Sequence, residues 1–134
     1  MKRKRQPRPL KIYVTPGLVD DIGKTLHFAL MGMQHGSPNI TNWRSIAKVL
    51  LMISAASDGN ERIEPHDKAA IDNSVLVLAE ISNRALDTDD WSATVSELPA
   101  LARGILAAET ALARIDYRSL ASAYRFTSIT LGAI

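Results

Sequence analysis

Residues Gly17 to Thr25, "GLVDDIGKT", follow the apolar run "LKIYV" and resemble, in residue type, a glycine loop that cradles phosphates. Such a loop needs four residues between its first glycine and the Gly-Lys-Thr, so that its amides point inward. Here five residues separate Gly17 from Gly23, and two of them, Asp20 and Asp21, are anionic. Val19, Ile22 and Leu26 continue a helical spacing through the segment. The reading is therefore the first turns of an amphipathic helix with an incidental Gly-Lys-Thr. His27, His35 and His66 are the only histidines. His27 and His35 are eight residues apart, not the four that place two ligands on one helical face. With no cysteine and no nucleophile elbow, a metal ligand set and a covalent nucleophile are not expected, and no cofactor is called for. The pairs Asp20-Asp21 and Asp89-Asp90 are assigned to first turns of helices, where the helix dipole explains them.

The strongest functional signal is charge. Lys2, Arg3, Lys4, Arg5, Arg8 and Lys11 put six cations in the first eleven residues without one acid. The remaining 123 residues hold ten Lys/Arg against fourteen Asp/Glu, a net charge of −4, so the overall +2 hides a basic arm on a mildly acidic body. Each Lys or Arg that neutralises a phosphate releases counterions, giving sequence-independent, salt-sensitive binding. These six residues are the expected nucleic-acid contacts, to DNA or RNA. Rival uses of the arm are docking on an acidic protein surface, including that of a second copy, or solubilisation.

The chain's 134 residues suit one domain, with residues 1–9 as a flexible arm and 10–134 as a helical body. Absence of cysteine fits a reducing compartment. No apolar stretch approaches the length of a membrane span and no secretory signal is recognised, so a cytoplasmic protein without membrane contact is expected. Hydrophobic residues make up 46% but aromatic ones only 5%, which favours helices.

The elements follow from punctuation and period. "LKIYV" (10–14) alternates as a half-buried strand does, with Leu10, Ile12 and Val14 on one side. Thr15-Pro16 opens a helix that runs to about Gln34 and stops at "HGSPN". Thr41 caps a second, central helix, apolar nearly all round at 46–53, ending at Asp58-Gly59. Pro65 opens a third, with the stripe Ile71, Val75, Leu78, Ile81 and Ala85. Thr88 is read as the cap of a short helix over 89–97, and Pro99 starts another near Leu98 that continues to about Phe126. "TSITLGAI" alternates again, so 127–131 could pair with 10–14, or across a homodimer. The fold class is all-α: a bundle of four to five helices with short strand-like segments near both termini.

Two local resemblances bear on this plan. "NWRSIAKVLLMIS" resembles the opening of a helix-turn-helix, but position 51, where the turn's glycine belongs, is Leu, so one continuous helix is expected. "AASDGNERIEPHDKAAI" resembles the interhelical loop of tellurite-resistance TerB-like domains, in which an Asp-Gly pair and acids follow an apolar helix. It lacks the ladder of a calcium loop, because Arg62 replaces a ligand, and Glu61, Glu64 and Asp67 are read as a solvated acidic cluster. The expectation is a non-enzymatic accessory protein. Its arm contacts nucleic acid and its body self-associates or docks on a partner; the alternative is a protein-interaction module or inhibitor of a larger assembly without nucleic-acid binding.

Overall fold

The structure, a computed structural model, describes residues 11–34 and 40–132, with side chains through Ser128. It is all-α: α1 (Pro16–Gln34), α2 (Ile40–Ser57), α3 (Pro65–Thr88), α4 (Leu98–Leu112) and α5 (Tyr117–Gly132). Helix α2 lies at the centre and packs on all four others. Helices α1 and α3 also pack on α4, whereas α5 packs on α2 alone. Ile46, Leu50 and Ile53 of α2 are fully buried and meet a core built from Leu26, Met33, Ile71, Ile81, Leu101, Ile105 and Leu112. The segment expected to be one apolar helix is one, with no turn at Leu51.

Three helix starts follow from proline. Pro16 begins α1, where a missing N–H leaves nothing unpaired, and the Thr15 Oγ1 accepts a bond from the Leu18 amide at 3.3 Å. Pro65 opens α3 and Leu98-Pro99 opens α4. After α2 the chain turns at Gly59, whose φ of 72° is accessible to glycine at little strain. The segment "GLVDDIGKT" lies wholly within α1, so its amides are spent on the helix.

Five expectations are corrected. Residues 89–97 form a strapped loop, not a helix. Thr88 closes α3: its hydroxyl donates to the Arg84 carbonyl at 3.0 Å and accepts from the Asp90 amide at 3.2 Å. Asp89 adopts the left-handed conformation, φ 56°, and its amide returns to the Ala85 carbonyl. The pairs of acids are therefore not first-turn residues: Asp89-Asp90 follow a helix end, and Asp20-Asp21 sit in the second turn of α1. The long last helix is two helices. Asp116 caps α5, its carboxylate accepting from the Ser119 amide and hydroxyl at 3.3 and 2.7 Å. The strand-like end 127–131 lies inside α5, where Leu120, Ala123 and Thr127 keep a helical spacing of buried residues. Residues 11–14 make one bridge, Tyr13 to Asp116, with the Tyr117 amide donating to the Ile12 carbonyl at 2.7 Å. Val14 is buried and Ile12 exposed, so they do not share a face.

The 89–97 loop is held by ions. Arg84 of α3 forks onto Glu97, its Nη2 and Nη1 lying 2.8 and 3.2 Å from the two carboxylate oxygens, and Nη2 also donates to the Ser92 carbonyl. Glu97 also accepts from the Thr94 amide at 2.9 Å. Burial pushes the Glu97 carboxyl up, but the bonds from Arg84 and Thr94 outweigh it, and its pKa is lowered. A carboxyl depressed in the folded state stabilises the fold above its unfolded pKa of about 4.3 and ceases to as the pH falls through the folded value. Glu97→Gln should therefore lose about 1–2 kcal/mol at pH 7, a figure reduced because Arg84 is well exposed. The gap from the parent should shrink as denaturation curves are repeated towards pH 3. A gap that stays constant would remove the ion pair from this account.

Candidate functional site

Lys2, Arg3, Lys4, Arg5 and Arg8 lie outside the described residues. The sixth expected contact, Lys11, is exposed at the root of the arm, where the chain meets the start of α5. Asp116 is the acid beside it. Its pKa is lowered, chiefly by the Ser119 hydroxyl, with the Lys11 charge contributing.

The root opens onto a groove of about 390 Å³ lined by Lys11, Tyr13, Asn60, Glu61, Arg62 and Arg114, among others. The Arg62 guanidinium lies over the Tyr13 ring, 4.9 Å from its centroid. Arg114 Nη1 donates to the Arg62 carbonyl at 2.9 Å, and Asn60 Nδ2 to the Arg114 carbonyl at 3.2 Å. These bonds tie the loop after α2 to the turn before α5. Asp58, on the same groove, is held by Lys68 at 2.6 Å. Lys68 also bonds the Ser54 carbonyl and Asp72. Burial opposes its charge, but hydrogen bonds to Asp58 and Asp72 prevail and raise its pKa.

The histidines do not converge. His27 Nε2 lies 2.8 Å from Glu109 Oε1, linking α1 to α4, and His66 lies 3.5 Å from Asp67 in the first turn of α3. His35 is outside the described residues. Among the described residues no group of three His, Asp or Glu is placed to hold a metal ion, and Glu61, Glu64 and Asp67 do not form one. Trp43 and Trp91 meet in the core, with ring centroids 5.0 Å apart. No helix of the described residues is long and apolar enough to cross a membrane.

One feature of the surface depends on which helices are neighbours and is not legible in the sequence. Helices α2 and α5 contain Arg44, Lys48, Arg118 and Arg125 and not one acid. Helix α3 carries Asp67, Asp72, Glu80 and Asp87 against Lys68 and Arg84. Four of the body's ten Lys and Arg residues thus lie on two neighbouring helices that hold no acid, whereas α3 is net acidic. The absence of acid from both segments could have been counted in the sequence; their contact could not.

Comparisons with protein-family models, curated proteins and solved structures find no significant match to this chain.

Proposed function

We propose that the protein is a non-enzymatic helical accessory protein that acts by binding. Its N-terminal arm, Lys2, Arg3, Lys4, Arg5 and Arg8 with Lys11 at the root, contacts nucleic-acid phosphates, and its body self-associates or docks on a partner. The observation that carries this reading is the segregation of charge: six cations without an acid in eleven residues, ahead of a body with net charge −4. A cationic segment releases counterions wherever it meets a phosphate chain. The exposed position of Lys11, the one member of the cluster among the described residues, supports it. The second reading, a protein-interaction module without nucleic-acid affinity, is favoured by large apolar side chains left in solvent, among them Phe28 (79% exposed), Leu86 (74%) and Val95 (86%).

Labelled DNA and RNA titrated at several salt concentrations decide between them. Changing Lys2, Arg3, Lys4 and Arg5 to Gln should weaken binding at least tenfold and flatten its salt dependence, while the melting temperature stays put. Absence of salt-sensitive binding by the full chain would remove nucleic acid and leave the interaction module.

A further inference from the structure

The α2–α5 side of the body combines three properties that occur together nowhere else among the described residues. It is cationic without acids, through Arg44, Lys48, Arg118 and Arg125, and none of these four forms an ion pair among the described residues. Of the body's six other Lys and Arg residues, Lys68 pairs with Asp58 and Asp72, and Arg84 with Glu97. It is aromatic: Tyr117 and Tyr124 stand exposed seven residues apart on α5, which puts them on one helix face about 10 Å from each other. It is also continuous with the arm, because the Ile12 carbonyl accepts the amide of Tyr117, the first residue of α5.

The two helices are joined at this face by the side chains concerned. Lys48 of α2 places its ammonium 5.0 Å from the centroid of the Tyr124 ring. A hydrogen bond from Lys48, with one from Ser128, lowers the Tyr124 pKa. Arg44 lies one turn before Lys48 on the same ridge of α2. On α5, Arg118 and Arg125 each follow a tyrosine and repeat at the same seven-residue spacing, so they form an exposed row about 100° round the helix from the rings. Among the helices α5 packs only on α2, and Tyr117, Arg118, Tyr124 and Arg125 are exposed. The acids nearest the start of the face are already engaged, Asp116 by Ser119 and Asp58 by Lys68.

We infer that this face is a track for single-stranded nucleic acid running on from the basic arm: Arg44, Lys48, Arg118 and Arg125 contact phosphates, and bases stack on Tyr117 and Tyr124. The occupant follows from the chemistry. A chain of phosphates complements a surface with four cations and no acid, and only unpaired bases offer π-faces to exposed rings spaced along a helix. An acidic polypeptide would satisfy the cations and leave the rings without a role. The inference rests on the nucleic-acid reading of the arm and extends it to the folded body.

The test titrates labelled oligothymidylate of about 16 nucleotides, enough to fill one site, with the full chain and three variants. These are the face variant R44Q/K48Q/R118Q/R125Q, the ring variant Y117S/Y124S and the arm variant K2Q/R3Q/K4Q/R5Q. The face variant should bind at least tenfold more weakly, with a salt slope smaller by roughly 0.7 for each phosphate it no longer neutralises. The ring variant should lose affinity at unchanged salt slope. Polyglutamate of matched charge should compete poorly. If the face variant fails to show a melting transition, R118Q/R125Q on the exposed side of α5 is judged by the same criteria. Full affinity in the face variant with reduced affinity in the arm variant overturns the track and leaves the arm reading standing. Full affinity in the ring variant, equal competition by polyglutamate, or preference for a duplex also overturns it. No binding by the full chain at about 50 mM salt overturns both.

Discussion

Trp43→Ala is expected to cost about 3–5 kcal/mol of folding stability, the range for truncating a large buried aromatic. Trp43 is 4% exposed, in the first turn of the central helix, and its indole N–H donates to the Leu78 carbonyl of α3 at 2.9 Å. Its ring packs against Trp91 at an interplanar angle of 57°, and Trp91 is itself buried from a loop that has no helix to hold it. Truncation leaves a cavity among α2, α3 and the 89–97 loop, and it removes the main apolar anchor of that loop. A domain of this size has about 5–15 kcal/mol in all, so a large share would go. Trp43→Phe separates packing from the hydrogen bond: it keeps a ring against Trp91 but cannot donate, and should lose about 1–2 kcal/mol. Urea denaturation followed by circular dichroism measures both. A loss under about 1 kcal/mol in the alanine variant would mean that the Trp43–Trp91 contact does not organise this end of the core.

The same contact explains what the sequence could and could not disclose. Pro16, Pro65 and Pro99 announced three helix starts because proline restricts the chain locally, whatever surrounds it. Gly59 marked the end of α2 for an equally local reason. Thr88-Asp-Asp was ambiguous. Its side chains accept amide hydrogens equally well at the start of a helix or in a loop after one. The choice was made at long range, by Trp43 meeting Trp91 and Arg84 meeting Glu97. The break between α4 and α5 had a signal, Asp116 three residues before Ser119, but Ala-rich sequence on the α4 side masked it. Alternation at 10–14 and 127–131 misled because short runs fit more than one period, and a helix buries Leu120, Ala123 and Thr127 on one side. Of the candidate site, the arm was legible as composition. The cationic α2–α5 face was not, because its acid-free segments are 60 residues apart between Ser57 and Tyr117 and become one surface only through packing.

Gly104→Ala is expected to destabilise the protein by about 1–3 kcal/mol, although alanine is the better helix former. Gly104 is buried in the middle of α4, where α3 crosses it. A Cβ at this position would run into the Cβ and Oγ of Ser74 and lie 3.3 Å from the Ala70 carbonyl. Ser74 cannot easily withdraw: it is fully buried, and its hydroxyl donates to the Ile71 carbonyl at 2.6 Å. The two helices would have to separate along their whole contact. The helix-propensity gain of about 1 kcal/mol is smaller than the overpacking it must offset. The double variant Ser74→Gly/Gly104→Ala tests the cause. It moves the missing Cβ from α4 to α3 and restores the close approach, so denaturation should show it more stable than the sum of the two single changes by at least about 1 kcal/mol. Additive losses would show instead that Gly104 is required for something other than the contact with Ser74. A net gain from Gly104→Ala alone would mean that α3 and α4 tolerate a wider spacing, and that small residues at their crossing do not set the distance between them.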